Sequence, residues 1–274
     1  MKERVQLGAV QETLLIPLWA RAVDFLKPHS ILRDAKAAEV MKRIDYDFSK
    51  FAGAWKSQVG CCLRGAIFDQ WTRAELAQDP ETLVVEIGAG LDTRYERLGG
   101  AARRWIDLDL PDTMALRRRF FAENSQRRFF EGSVLAADWV NPVRKMAEGH
   151  PVAFVAEGVL MYFSEEDVKR LFGLLARHFP GSSLLFDNLG PAMVKHQSKH
   201  DSVTKTAAKF AWGMADVREV ETWGLPCTLE QTASFFDAPQ EALRNLLWME
   251  RAMLLLSKWM KYRLNRVRFG GSHP

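Results

Sequence analysis

Three acidic residues stand at or near the ends of short apolar runs, where a carboxylate could bind a ligand. Glu86 lies near the end of the first run, Asp109 follows the second, and Glu157 directly follows the third. Runs rich in Val and Ile are typical of buried strands, and ligands of open α/β sheets bind where the carboxyl ends of parallel strands meet. We therefore expect the three carboxylates to converge on one crevice. A cationic ligand with a ribose suits them better than a pyrophosphate, because a carboxylate such as Asp109 can accept hydrogen bonds from both ribose hydroxyls.

A glycine turn follows the first of these runs. Gly88 and Gly90 would allow the backbone to approach a ligand closely, and the N-terminus of a following helix favours negative charge. Two glycines alone are equally compatible with an ordinary tight turn. The dinucleotide-binding fingerprint requires a third glycine, and Thr93 occupies that position. The sequence therefore disfavours a nicotinamide-dependent oxidoreductase, which we keep as an alternative.

The elements that must position these residues alternate between strand and helix, a pattern that predicts an α/β fold with a parallel sheet. Strands are predicted at 82–87, 104–108, 128–130, 152–156, 183–186 and 261–269, and helices between and after them at 111–121, 138–146, 164–178 and 240–260. The first 80 residues are predicted to be helical, with helices at 13–26, 33–44 and 55–76. After Asn188 the alternation stops. The predicted units are a helical cap (1–80), an α/β core (81–189), a capping insertion (190–225) and a completion of the core (226–274).

Composition excludes several classes of protein. The 38 Lys and Arg residues exceed the 34 Asp and Glu residues by only four, which is too few to indicate nucleic-acid binding. No run approaches the roughly 18 uncharged apolar residues that a membrane span requires. The three cysteines, two of them adjacent, form no plausible disulfide framework. We expect a cytoplasmic enzyme or binding protein that acts on a small molecule, without a nucleic-acid or membrane partner.

Three motifs carry a family resemblance that covers almost the whole chain. They are VVEIGAGLDTR (84–94), WIDLDLP (105–111) and AEGVLMYF (156–163). Together they resemble the class I S-adenosylmethionine-dependent O-methyltransferases of the leucine carboxyl methyltransferase and tetracenomycin-type polyketide O-methyltransferase family. The segments TLLIPLWARA (13–22) and RIDYDF (43–48) are similar to its polyketide-type bacterial branch. The resemblance implies a Rossmann-like, mostly parallel, seven-stranded sheet with a helical N-terminal cap and a capping insertion.

The resemblance also implies S-adenosylmethionine as the cofactor and assigns residues that bind it. Gly88 and Gly90 would pass under its methionine and ribose, and Asp109 would hold the ribose hydroxyls. Ser133 and Val134 occupy the adenine-binding position, where many relatives have an acid followed by Leu.

At the amino-acid end of the cofactor, the resemblance assigns one arginine and two acids. Arg64 would pair with the carboxylate through its planar fork. Glu157 would face the ammonium group, and Glu86 would add to the same acidic rim. Tyr162 would lie near the transferred methyl group and is the single candidate catalytic residue.

The acceptor site is expected between the N-terminal helices and the insertion. Trp19, Trp212 and Trp223 are predicted to form its aromatic walls. His196 and His200, with Lys195 and Lys199, form two i, i+4 pairs that would make one basic face if the segment is helical. That face could attract an anionic acceptor or could simply be solvated. The two histidines have metal-capable spacing but no evident third ligand, so we predict no metal.

The resulting hypothesis is a methyltransferase that acts on an oxygen of a small, polyketide-like or other secondary-metabolite acceptor. A carboxylate acceptor needs no general base, whereas a hydroxyl usually does, and the sequence leaves both possibilities open. A non-catalytic cofactor-binding protein on the same fold is a second alternative.

Overall fold

The computed structural model describes residues 2–256 and 261–270. Its centre is a seven-stranded sheet in the order β5-β4-β3-β6-β7-β9-β8, in which β9 runs opposite to the other six strands. The strands are β3 (Leu83–Ile87), β4 (Arg104–Asp109), β5 (Arg127–Glu131), β6 (Val152–Ala156), β7 (Ser183–Asn188), β8 (Cys227–Ala233) and β9 (Arg263–Phe269). Two short strands, β1 (Glu3–Arg4) and β2 (Ile44–Asp45), pair apart from this sheet. The predicted fold class is confirmed.

Helices cover the sheet, and some of them also pack above the carboxyl ends of its strands. Those before the sheet are α1 (Leu15–Phe25), α2 (Ala35–Arg43) and α3 (Trp55–Gln78). Those that follow are α4 (Arg94–Arg97), α5 (Pro111–Arg117), α6 (Val140–Ala147), α7 (Glu165–His178), α8 (Pro191–Lys195), α9 (Gln240–Arg244) and α10 (Trp248–Leu256). Local sequence explains several starts: Ser164 accepts a hydrogen bond from the Asp167 amide ahead of α7, and Pro111 opens α5.

The order of the strands creates the crevice in which a ligand can bind. The chain moves from β3 to β4 and β5 on one side and then returns to add β6 and β7 on the other. The carboxyl ends of β3 and β6 therefore lie side by side at the point where the winding direction changes, which is where open α/β sheets bind ligands. The glycine turn follows β3, and Glu157 follows β6.

Both faces of the sheet are covered, so its central strands are buried throughout. On one face Leu83 and Phe154 pack with Trp139 of the segment before α6, whose indole stacks on Phe179 at 5.7 Å between ring centroids. On the other face Val84 joins the apolar residues of α3. A third cluster, above the strand ends, joins α1 and α2 to the turns of the sheet and thus builds the predicted helical cap.

The second half of the chain differs from the prediction in three places. Strand β8 was not predicted. The expected helix 240–260 is divided into α9 and α10, and residues 257–260 lie outside the described residues. Within the insertion, Val217 and Val220 pack into the core under the sheet, so only its first half stands over the strand ends. The four-unit division of the chain remains a prediction.

Candidate cofactor and acceptor site

A cavity of about 890 Å³ opens above the carboxyl ends of β3, β4 and β6. The N-terminal segment and α1, the start of α3, the first part of the insertion and α10 supply its other walls. Ten of the residues predicted from the sequence line it: Arg64, Gly88, Gly90, Asp109, Ser133, Val134, Glu157, Tyr162, His196 and His200. The structure thus brings the proposed cofactor residues other than Glu86, together with part of the proposed acceptor site, to one space.

The glycine turn forms the floor of the cavity and requires glycine for two reasons. Gly88 has φ +65° and Gly90 has φ +46°, a region that other residues rarely adopt. A Cβ atom on Gly88 would lie 2.5 Å from Cγ2 of Val159. The Gly88 amide donates to the Leu108 carbonyl at 2.8 Å, which ties the turn to the end of β4. The backbone is therefore held close to the cavity without a side chain between them.

Asp109 is oriented by the backbone of the same turn. Its Oδ2 accepts from the Gly90 amide and its Oδ1 accepts from the Leu110 amide, both at 2.7 Å. Burial raises the pKa of Asp109, while the two amide donors act in the opposite direction. A carboxylate has about four acceptor positions, so two remain for the hydroxyls of a ribose. The geometry fits the predicted role.

Ser133 and Val134 lie on the cavity wall next to the β4 end. The Ser133 hydroxyl accepts from the Leu135 amide at 3.2 Å, and the Val134 carbonyl accepts from the Trp139 indole at 3.0 Å. Because these two groups already have partners, the loop is fixed in place. An adenine bound here would meet the apolar Val134 side chain and the Ser133 hydroxyl.

A buried ionic network lies at the end of the cavity near α3. Nε of Arg64 donates to Glu157 at 2.8 Å, and its Nη1 donates to Asp187 at 3.2 Å and to the Tyr262 hydroxyl at 3.0 Å. Tyr262 in turn donates to Asp187, and Arg94 donates to Glu157. Burial alone would raise the pKa of Glu157, but the two arginines outweigh it and hold that pKa below its ordinary value.

The wider network contains more carboxyl groups than guanidinium groups. It connects Arg21, Arg64, Arg94 and Arg97 with Asp34, Asp69, Glu86, Asp92, Glu157 and Asp187. Because burial raises the pKa of Glu86 to about 8, this group keeps its proton at neutral pH, and five other carboxyl groups face four cations in a region with little access to water. Such an excess stabilises a positively charged ligand at the cavity's edge.

The prediction for Glu86 is corrected by its surroundings. Glu86 lies inside β3, so its side chain points to a face of the sheet, where it is buried against Arg94. It therefore does not line the cavity above the strand ends. Burial raises the pKa of Glu86 to about 8, and its Oε2 has no hydrogen-bond partner among the described residues. Glu86 supports the network and does not belong to an accessible acidic rim.

Tyr162 lies in a short 3₁₀ helix (Leu160–Tyr162) after β6 and lines the cavity, and its position near a methyl group remains a prediction. Its ring centroid is 5.7 Å from that of Phe210 in the insertion. Burial raises the pKa of Tyr162 to about 12, so the phenol stays protonated near neutral pH. Its ring can shape the site, but the hydroxyl is a poor general base.

The two histidines reach the cavity, but not on a common helical face. Helix α8 ends at Lys195, and a separate 3₁₀ turn spans Gln197–Lys199, so the segment is not one helix and the condition for a single basic face is not met. Nδ1 of His200 accepts from the amides of Ser202 at 3.4 Å and Val203 at 3.3 Å, and burial lowers the pKa of His200.

The described residues contain neither a metal-binding cluster nor a membrane-spanning helix. In residues 2–256 and 261–270, no group of three or more His, Cys, Asp or Glu side chains is arranged to hold a metal ion. Within the same ranges, no helix has the length and apolar character needed to cross a membrane.

The tryptophan prediction is also corrected. Trp19 packs on Phe51 inside the helical cap, Trp212 is buried in the sheet core, and Trp223 meets Phe172 at 5.1 Å between ring centroids. None of the three lines the cavity. These three indoles pack in the apolar layers of the cap and the core, whereas Trp55 and Trp248 line the cavity.

The contacts of Arg64 with Asp187 and Tyr262 were also not predicted, because each of these residues lies far from Arg64 in sequence.

Comparison with known proteins agrees with this arrangement. The family model described as leucine carboxyl methyltransferase matches residues 18–176. Tetracenomycin polyketide synthesis O-methyltransferase TcmP from Streptomyces glaucescens is 33% identical over 240 residues, which cover 87% of this chain and 88% of that protein. The S-adenosyl-L-methionine-dependent methyltransferase dpfgK from Gibberella zeae is 27% identical over 280 residues, covering 94% and 93% of the two chains.

Among solved structures, a DUF574-family protein from Streptomyces avermitilis shares the fold, with a TM-score of 0.57 and 13% identity. The match covers 81% of this chain and 88% of that chain. The family match includes the turn after β3 and the Glu157 region, and the 33% identical relative extends it over most of the chain. The chain therefore belongs to the leucine carboxyl methyltransferase family and is an S-adenosylmethionine-dependent methyltransferase.

Proposed function

We propose that this enzyme transfers the methyl group of S-adenosylmethionine to a carboxylate oxygen of a small, bulky and largely apolar acceptor. One observation carries the proposal: a single cavity extends from the glycine turn and Asp109 to apolar walls supplied by the N-terminal segment and the insertion. Its volume of about 890 Å³ lies near the upper end of the roughly 300–1,000 Å³ range of small-molecule sites. Such a space suits two ligands that meet within it.

The residues around the cavity fit the cofactor group by group. Asp109 would hold the ribose hydroxyls, and the backbone at Gly88 would pass beneath the ligand where a Cβ has no room. Arg64 would receive the carboxylate and Glu157 the ammonium group, since both line the same end of the cavity. The surplus of carboxyl groups behind them favours a ligand that carries positive charge.

A carboxylate acceptor is favoured because Tyr162 and His200, which both line the cavity, are poor bases. Tyr162 stays protonated near neutral pH, and the Nδ1 lone pair of His200 is already engaged by backbone amides. An ionised carboxylate needs no proton removed before it attacks. Lys199 also lines the cavity and can attract such an anion.

The reaction requires mainly alignment and exclusion of water. When bound, the cofactor's sulfonium supplies an electrophilic methyl group, and the acceptor oxygen forms its bond to carbon as the sulfur–carbon bond breaks. The protein would hold both ligands so that the oxygen approaches to about 3 Å in line with that bond. The apolar walls around Met161 and Phe210 would exclude water from the two charged partners.

The names of the relatives agree with this acceptor class without defining it further. The family model is named for a carboxyl methyltransferase, and one relative for polyketide synthesis. The oxidoreductase alternative is not favoured, because Thr93, in place of the third glycine of the fingerprint, is buried and bonded to Asp34.

Calorimetry with S-adenosylhomocysteine tests the cofactor site. We expect micromolar binding that Asp109→Ala weakens at least tenfold. Glu131→Ala is the matched control, because Glu131 is opposite Asp109 in the sheet but outside the cavity lining. No binding to the wild type, or equal affinity in Asp109→Ala, would refute the assigned site.

Radiolabelled methyl transfer tests the acceptor. A panel would pair each aromatic carboxylic acid with the phenol or alcohol of the same skeleton. We expect alkali-labile methyl esters from the acids. Ether products alone would refute the carboxylate, and cofactor binding with no turnover on any acceptor would favour a non-catalytic binding protein.

A further inference from the structure

A buried arginine supports the glycine turn from the side opposite Asp109. Arg117 is the last residue of α5, and its side chain has no exposure to solvent. Its Nη1 donates to the Gly90 carbonyl at 2.8 Å and to the Ala89 carbonyl at 3.2 Å. Its Nη2 donates to Oδ1 of the buried Asp107 at 3.1 Å. These contacts hold the guanidinium in one position against the turn.

The peptide unit between Ala89 and Gly90 is bound on both of its sides. In a planar trans peptide, the carbonyl oxygen and the amide hydrogen point in opposite directions. The Ala89 carbonyl accepts from Arg117, and the Gly90 amide of the same unit donates to Oδ2 of Asp109 at 2.7 Å. A rotation of this peptide would therefore break the contact with Arg117 and the contact with Asp109 together.

The charge of Arg117 acts in the same direction as its geometry. A cation at the carbonyl polarises the peptide and strengthens the amide as a donor. Burial raises the pKa of Asp109, whereas the two amide donors and the Arg117 charge act in the opposite direction. Both effects favour an ionised Asp109 that is held in one orientation.

The cost of burying Arg117 indicates that the turn is its main partner. A buried guanidinium is unfavourable unless charges and acceptors surround it. Asp107 also pairs with Arg127, whose Nε lies 2.6 Å from Oδ2 of this acid. Because Asp107 is shared between two arginines, the carbonyls of the glycine turn supply the remaining acceptors for Arg117.

We propose that Arg117 is a positioning residue for the cofactor, which holds the Ala89–Gly90 peptide so that the Asp109 carboxylate meets the ribose hydroxyls. This inference rests on the proposed function. It adds to the cofactor site a residue that, in the described part of the chain, lies outside the cavity lining. Without the guanidinium the peptide can turn, and Asp109 loses a fixed donor. The effect should therefore be confined to ligands that carry the ribose hydroxyls.

The first test compares the affinity for S-adenosylhomocysteine of Arg117→Met and Arg127→Met by calorimetry. Arg127 is also buried, but its guanidinium donates to Asp107 and Glu96, both at 2.6 Å, and among the described residues not to the glycine turn. Both variants thus remove one buried cation from the same acid. We expect Arg117→Met to bind about tenfold more weakly, and Arg127→Met to bind like the wild type.

Arg117→Lys is the second variant at this position, because it keeps the charge but loses the planar fork. It should bind more weakly than the wild type and more tightly than Arg117→Met, and it replaces Arg117→Met in every comparison if circular dichroism shows that the methionine variant does not fold.

Two further measurements distinguish positioning from a general structural role. In an Asp109→Ala background, Arg117→Met should weaken binding no further. The 2′,3′-dideoxy analogue of S-adenosylhomocysteine, which lacks the ribose hydroxyls, should bind equally to Arg117→Met and to the wild type.

The inference alone would be overturned by wild-type affinity in Arg117→Met, by equal losses in Arg117→Met and Arg127→Met, by losses that simply add to that of Asp109→Ala, or by an equal loss for the dideoxy analogue. Wild-type affinity in Asp109→Ala would instead refute the assigned cofactor site, and this inference with it.

Discussion

Replacing Gly88 by alanine should destabilise the protein through two separable effects. Gly88 has φ +65°, and a left-handed backbone costs a residue with a Cβ atom about 1–2 kcal/mol. The new methyl group would also lie 2.5 Å from Cγ2 of Val159. Overpacking of this kind typically costs about 1–3 kcal/mol. We expect Gly88→Ala to lower the free energy of unfolding by about 2–5 kcal/mol in all.

Three further variants separate these contributions. Gly99 has φ +61°, and no described atom lies within 4 Å of the Cβ position, so Gly99→Ala should lose only the backbone part, about 1–2 kcal/mol. Val159→Ala removes the methyl groups that obstruct residue 88. In the double variant Gly88→Ala/Val159→Ala, the overpacking should disappear and leave a favourable coupling free energy of about 1–3 kcal/mol.

Urea unfolding, followed by circular dichroism, measures all four variants and the wild type. The reasoning is refuted if Gly88→Ala and Gly99→Ala lose the same free energy, or if the losses of Gly88→Ala and Val159→Ala simply add. Calorimetry on the double variant then shows whether the restored fold also restores cofactor binding, since the new methyl group still lies on the cavity floor.

Two other predictions concern the ionic network. Burial raises the pKa of Glu86 from an ordinary 4.5 to about 8. Between these two pH values the folded state holds a proton that the unfolded state has lost. The free energy of unfolding should therefore fall as the pH rises through this range, by up to about 1.4 kcal/mol per pH unit. Glu86→Gln should flatten this slope in urea titrations at pH 5.5 and 7.5, and an identical slope in both proteins would contradict the assignment. Tyr262→Phe removes a hydroxyl that contacts Arg64 and Asp187 but keeps the ring, which stacks on Phe235. We expect S-adenosylhomocysteine to bind about tenfold more weakly with little change in melting temperature, and equal affinity would show that Arg64 does not depend on this contact.

The parallel part of the fold could be predicted because burial on both faces leaves a clear signal. The strands β3 and β6 consist of LVVEI and VAFVA, and every residue in both is buried. Strand β8 has the sequence CTLEQTA, lies at the sheet edge and exposes most of its side chains. Its pairing with β9 also shifts between Leu229 and Gln231. Neither hydrophobicity nor strict alternation marks such a strand.

In the site, features that depend on local sequence could be predicted, whereas contacts between residues distant in sequence could not. Asp109 and the glycines could be placed from sequence, because strand ends and turns are local features. The burial of Glu86 against Arg94 and the support of Arg64 by Asp187 depend on helices α4 and α3 packing against strands β3 and β7 in the folded protein. The tryptophans show the limit of composition, since the same side chain fills the core at Trp212 and the cavity wall at Trp248.

The pairing of Arg64 with Glu157 also determines what kind of ligand the site can accept. A zwitterion can exchange partners with this pair, because its anionic end takes the guanidinium while its cationic end takes the released carboxylate. The charge balance of the pocket is the same before and after the exchange. A ligand with only one of the two charges would leave either Glu157 with Arg94 alone or Arg64 with Asp187 and Tyr262 alone, which is less favourable than the full set of pairs. If Arg64 and Glu157 bind the amino-acid end of the methyl donor as proposed, one ion pair is replaced by two, and we expect deaminated and decarboxylated analogues to bind more weakly.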